Sequence, residues 1–334
     1  MPEKKTISVT ELMHYGSVDD LNAKAVSLVR QQQDTWDLAG KNYSALSTVQ
    51  KRQFNVGAVR IEANYNPGRI RSSAASTDAK SISSRPCFLC EHNLPRPQKG
   101  IAYNDAFLIL TNPYPIFPLH LTIAHKKHLP QQLGHFFNDL LELSRQLHEF
   151  TVFYNGPQCG ASAPDHFHFQ AGNNGVMPIE KEVEELAGSN TKTLITAKDL
   201  DVYAVDDGLR RFVILDSKEI SVLSEIFDHL YSSLITNRSA EPMMNVLSLY
   251  KHDKWKVIIF PREKQRPSHY FMSDEHQLLV SPAAVEMGGL LILPRHDDFL
   301  KLDNNLISEV YGEVTASQNT FQKMVDVLTH WKTR

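Results

Sequence analysis

Residues 165–170 read DHFHFQ, two histidines and a glutamine at alternate positions with phenylalanines between them. Side chains on a β-strand point to opposite faces with period 2. A strand here sets His166, His168 and Gln170 on one face and buries Phe167 and Phe169 on the other. Neighbouring members of the polar trio then stand roughly 6.5 Å apart. Two of them can serve one ligand at that spacing, and they cannot bond each other directly.

Working outward, AFLILTN (106–112) and LHLTIAH (119–125) are strand candidates. The proline-bearing PYPIFP between them forbids a central strand. LGHFFNDLLELSRQLHE (133–149) repeats apolar residues at helical spacing, FTVFYNG follows as a strand, and PQCGASAP turns the chain into DHFHFQAG. Further upstream, FNVGAVRIEANY (54–65) is strand-like, and residues 66–86 read as a mobile loop from their Ser, Ala and Gly content.

A helix-rich connector is expected over 178–200, after which the pattern restarts. RRFVILDS is a strand, and SKEISVLSEIFDHLYSSLI is an amphipathic helix capped by Asp216 or Ser217. MNVLSLYK, KWKVIIFPR, HQLLVSPAAVEM and GGLLILPR are strands or strand-like, and a last helix runs over about 304–330. Each half offers strands, a helix and strands again. That predicts an α+β protein of two units with mainly antiparallel sheets and packed helices, divided near residue 200. Only the first half carries the polar strand face, so the chemistry is expected there.

Composition narrows the function. The 334 residues are 42% hydrophobic and 22% charged, as in soluble globular proteins, with a formal net charge of −3. No basic excess exists to displace counterions from nucleic acid. The N-terminus lacks a signal peptide's apolar region, and no run of about 18 apolar residues suggests a membrane span. Three cysteines make no disulfide framework, and a CFLC pair points to metal or redox chemistry in a cytoplasmic chain. Cys159 is most simply a small loop residue.

Cys87 and Cys90 offer two thiolates at the spacing of zinc sites. Histidines 120, 125 and 128 in HLTIAHKKH, with His166, can complete a tetrahedron. The expected set is Cys87, Cys90, His128 and His166, with His125 as the substitute for His128. Four mixed N/S ligands favour a closed, structural zinc ion over iron.

CFLCEHN, AYNDAFLIL, HLTIAHKKHLPQQL and NGPQCGASAPDHFHFQ together resemble the histidine-triad superfamily. The likeness is to its galactose-1-phosphate uridylyltransferase branch, with the diadenosine tetraphosphate and GDP-hexose phosphorylases. It is specific over about 66–172 and weaker over 258–295. It implies a catalytic unit at 1–200 with a zinc site and a degenerate second unit at 201–334 without the H-x-H-x-Q motif. It makes His168 the nucleophile and puts Gln170 in place of a third histidine. Gly160 and Ser162 become the phosphate loop, preceded by Asn155. Asn104 and Asp105 fall where the family meets ribose and base. Phe167 stands where the uridylyltransferases have proline. The family often pairs, so a homodimer is also admitted.

A neutral imidazole attacks activated phosphorus well and divides one displacement into two. Gln170, Ser162 and the 160–162 backbone would supply fixed donors, and Arg69, Arg71, Lys264 and Arg266 would hold outer phosphates. Glutamine cannot protonate a leaving group, which favours transfer over hydrolysis. The expectation is a nucleotidyltransferase or nucleotide phosphorylase acting on a nucleotide sugar or dinucleoside polyphosphate. Phosphate or a sugar 1-phosphate would be the acceptor. The alternatives are a non-catalytic zinc-stabilised nucleotide-binding protein and a dinucleoside polyphosphate hydrolase.

Overall fold

The computed structural model describes residues 5–70, 79–185, 191–235 and 241–331. Helices Val9–Met13, Leu21–Thr35 and Asp37–Ala45 lead into the hairpin of β1 (Gln50–Val56) and β2 (Val59–Tyr65). Ten strands then build one antiparallel sheet. The first five are β3 (Gly100–Tyr103), β4 (Phe107–Thr111), β5 (His120–His125), β6 (Phe150–Asn155) and β7 (His168–Asn173). The others are β8 (Thr191–Ala197), β9 (Leu200–Asp206), β10 (Arg211–Ser217), β11 (Met244–Lys251) and β12 (Lys254–Pro261).

Their order in space is β3-β4-β5-β7-β6-β11-β12-β10-β9-β8. Read outward from the β6–β11 seam, each half runs fourth, fifth, third, second and first strand of its unit. Helix Phe137–Gln146 fills the connection before β6, and helix Ile220–Leu234 fills the one before β11. One topology thus occurs twice, as an α+β, histidine-triad-like fold. In the second unit β12, KWKVIIFP, stands where β7 carries its histidine. Four residue pairs, from Asn155↔Asn245 to Val152↔Ser248, join the units into one sheet. The β8–β9 hairpin straddles residue 200, where the sequence suggested a border.

Alternation decides the layers. Phe167, Phe169, Val152 and Tyr154 face a core covered by helices Leu21–Thr35, Phe137–Gln146, Ile220–Leu234 and Gln318–Thr329. Phe153, Leu247 and Ile258 face the other way, onto a second core under the sheet β1-β2-β13 (Leu290–Leu293) and helix Asn304–Val314. His168 and Gln170 share the parity of that second face.

Several elements differ from expectation. β7 begins at His168, so His166 precedes the ladder, held by a turn from its N–H to the Ala163 carbonyl. The 178–200 connector holds a short helix, Ile179–Glu182, and the exposed edge strand β8, whose polar side chains hid it. HQLLVSPAAVEM forms a loop and the one-turn helix Ala284–Met287 rather than a strand; Pro282 offers no N–H to a ladder. The last helix breaks in two because Thr315 bridges Arg262 and the Ala316 N–H bonds the Pro261 carbonyl. Ser317 caps the restart. Helix Ile220–Leu234 starts after Glu219, and Ser217 accepts the Glu219 N–H instead of capping.

Candidate active site and metal centre

The thiol pair and two histidines converge. One ligand atom from each of Cys87, Cys90, His128 and His166 lies within 4.8 Å of every other. Cys87 Sγ stands 3.2 Å from His166 Nδ1, and Cys90 Sγ stands 3.3 Å from His128 Nδ1. Ligand–metal bonds of 2.0–2.3 Å imply tetrahedron edges of about 3.3–3.8 Å, so the donor set fits a metal ion of this kind. The His166 Nε2–H donates to the His125 carbonyl at 2.6 Å, which leaves Nδ1 as the ligand atom. His125 is not in the set; its Nδ1 accepts the Lys127 N–H and its ring packs on Phe107 and Phe136.

His166 has a second duty, through its carbonyl. It accepts from His168 Nδ1 at 2.8 Å. A carbonyl only accepts, so Nδ1 carries the proton and Nε2 keeps its lone pair. Burial pushes the His168 imidazole down to about 4, against the opposing effect of that carbonyl. The ring is neutral at pH 7. Gln131 locks the strand start by accepting the His168 N–H and donating to the carbonyls of His168 and Asn155.

Gln170 is oriented by a parallel device. The Ile116 N–H donates to His120 Nδ1, so His120 Nε2 carries the proton and donates to Gln170 Oε1 at 3.0 Å. Burial and then the nearby Arg69 charge push His120 down to about 3, which keeps that tautomer uncharged. The amide NH2 of Gln170 is turned toward ligand space.

Two cavities meet here. The larger is lined by His168, Gln170, Ser162 and Arg69 together with Trp36, Phe88, Leu89, Leu110, Asn112 and Thr122. The smaller shares Arg69, Ser162 and Gln170 but is otherwise lined by residues that include Asn155, Gly160, Arg266, Ser281 and Glu286. The second unit therefore completes the smaller one. Burial lowers Arg69 to about 10, with Glu286 opposing, so it remains a cation at neutral pH; its Nη1 donates to the Tyr114 carbonyl at 2.7 Å.

Gly160 has a structural reason. Its φ is +96°, and a Cβ there would lie 2.4 Å from the Cβ of Ala283 in the second unit.

Other expected residues sit elsewhere. Asn104 and Asp105 form the exposed left-handed turn between β3 and β4, with φ of 43° and 52°, and line neither cavity. Lys264 pairs with Glu313 at 2.9 Å on the surface and lines neither cavity. Arg71 lies outside the described residues. Sequence reading missed Arg85, which lines the larger cavity, donates to the Ser162 carbonyl at 2.8 Å and stacks on Phe88. Its only signal was its place two residues before Cys87. His120 was visible only as a spare histidine.

Comparison with known proteins agrees with this architecture. Residues 28–173 match the family described as "Domain of unknown function (DUF4922)", and residues 183–332 the one described as "GDPGP1-like, C-terminal domain". No curated protein matches. The solved structure of yeast Ap4A phosphorylase Apa2 superposes with a TM-score of 0.55 at 13% identity, over 84% of this chain and 96% of that one. The same enzyme in complex with AMP gives 0.53 at 14% identity, over 86% and 98%. At these identities the likeness shows a fold shared with that phosphorylase. Among the described residues no helix is long and apolar enough to cross a membrane.

Proposed function

We propose that the protein is a nucleotide phosphorylase or nucleotidyltransferase that passes a nucleoside monophosphate through His168. The observation carrying this reading is the His168 tautomer, with Nδ1 committed to the His166 carbonyl and Nε2 free at a cavity lined by Gln170, Ser162 and Arg69. The apolar walls of the larger cavity suit a base and ribose. The polar smaller cavity suits the group that leaves and the group that arrives.

In the first step the Nε2 lone pair forms an N–P bond to the α-phosphorus of a nucleotide sugar or dinucleoside polyphosphate. The bond from phosphorus to the bridging oxygen breaks, and the leaving phosphate takes that electron pair. Gln170 and Ser162 donate to the non-bridging oxygens, where charge gathers. In the second step an oxygen of phosphate or a sugar 1-phosphate attacks the same phosphorus, and the N–P pair returns to Nε2. Gln170 has no proton to lend to water chemistry, and this favours an intermediate that waits for its acceptor.

Cys87, Cys90, His128 and His166 would hold zinc as a structural ion, which supplies rigidity rather than a reaction step. Through the His166 carbonyl that rigidity extends to the His168 ring.

Incubation with radiolabelled nucleotides and nucleotide sugars tests the reading. An acid-labile adduct on the protein is expected, absent in His168→Gly, with metal content unchanged. No adduct with any nucleotide would leave a nucleotide-binding protein. Loss of metal in His168→Gly would mean that the two histidines have exchanged roles.

A further inference from the structure

An asparagine amide can be turned end for end at little steric cost, so its polarity is fixed by neighbours that can only donate or only accept. Arg262 of the second unit is such a neighbour. It is 3% exposed and commits all five N–H groups. Nε donates to the Val314 carbonyl, Nη1 to Asn245 Oδ1 and the Pro282 carbonyl, and Nη2 to the carbonyls of Lys264 and Gln265. The end of Asn245 that meets Arg262 is therefore its oxygen.

Asn245 Nδ2 then donates to Asn155 Oδ1 at 2.9 Å and to the Cys159 carbonyl at 2.7 Å. The backbone N–H of Ala284, another donor-only group, reaches the same Asn155 oxygen at 2.8 Å. Both lone pairs of that oxygen are taken. The NH2 of Asn155 has no protein partner among the described residues, although the residue is only 6% exposed and lines the smaller cavity.

We infer that Arg262 and Asn245 are positioning residues that hold the Asn155 carboxamide with its NH2 toward an anion in the smaller cavity. The ligand this polarity selects is a phosphate group, met at its non-bridging oxygens beside Arg69 and Arg266. The second unit thus sets the sign of a hydrogen bond in the first. That the anion is the leaving or incoming phosphate rests on the transferase reading above; the polarity of the amide does not.

Titration of inorganic phosphate into the full chain, with and without Asn245→Asp, tests the inference. Aspartate still accepts from Arg262 but cannot donate to Asn155; its charged oxygen attracts the Asn155 NH2 more strongly than the single Ala284 N–H holds the Asn155 oxygen, so that amide turns and offers its oxygen to the ligand. The phosphate dissociation constant should rise about ten- to a hundredfold, the worth of one hydrogen bond to a charged group. That for a nucleoside monophosphate, held in the larger cavity, should stay within about twofold. Equal weakening of both ligands, no weakening, or no phosphate binding by the unmodified chain overturns the inference.

Should Asn245→Asp fail to fold, the unmodified chain decides. Phosphate should shift the side-chain amide resonances of Asn155 and leave those of Asn245 in place; any other pattern overturns it. Neither measurement reads the His168 adduct, so the transferase reading fails or survives independently.

Discussion

Gly160→Ala probes how tightly the two units meet at the site. At φ +96° an L-residue is strained by about 1–3 kcal/mol. The added Cβ would also lie 2.4 Å from Ala283 Cβ and 3.1 Å from Ala283 Cα. Backbone cannot yield like a side-chain tip, so one of the two segments must retreat by about 1 Å, an overpacking cost of about 1–3 kcal/mol. Together these predict a loss of about 2–6 kcal/mol in unfolding free energy, read from urea titration. The same retreat moves Asn155 and Ser162 away from Gln170, and misplacement of about 1 Å can cost about a hundredfold in turnover. Adding Ala283→Gly removes the Cβ–Cβ conflict but not the backbone strain. The double variant should therefore regain about 1–3 kcal/mol of stability, with part of the activity. A coupling energy below about 0.5 kcal/mol between the two substitutions, or a fully stable Gly160→Ala, would refute the reasoning.

Stripping the metal with a chelator should lower the thermal midpoint and also suppress adduct formation, because His166 then no longer fixes the carbonyl that orients His168; restored metal should return both, read by calorimetry and labelling. Arg69→Met should reduce transfer by at least about tenfold, as loss of a charge-assisted contact costs about 1.5–3 kcal/mol. By contrast Lys264→Ala, which removes an exposed pair, should change stability by less than about 1 kcal/mol and leave turnover within twofold. Asn104→Gly and Asp105→Gly should leave both activity and nucleotide affinity within about twofold, since glycine takes a left-handed turn at no steric cost.

Short-range signals were legible. The apolar runs of β4, β5, β6, β10, β11 and β12 stand out between turn residues, and the thiol and imidazole spacing pointed to the four residues that do converge. Strand parity separated Phe167 and Phe169 from His168 and Gln170 correctly, although the ladder begins only at His168. What stayed hidden depends on partners far away in the chain. Gln170 takes its polarity from His120, fifty residues off, and Asn155 from Asn245, ninety residues off. β8 escaped because an edge strand with two wet faces lacks alternation, and Arg85 because a lone arginine beside a turn resembles any surface cation. Asn104 and Asp105 occupy a site defined by hairpin geometry, a demand that motif spacing does not express.

The β6–β11 seam also bears on how the chain is made. Until β11 arrives, β6 offers a row of unpaired N–H and C=O groups along buried residues 152–155, a template for stray pairing. Roughly seventy residues separate the end of β7 from β11, so at about 5–20 residues per second a nascent chain carries that raw edge for several seconds. Synthesis stalled within this interval would release a sticky half-molecule whose His168-bearing strand is finished but whose neighbour is missing. Slow translation between residues 173 and 244 should therefore raise aggregation more than an equal delay after residue 251.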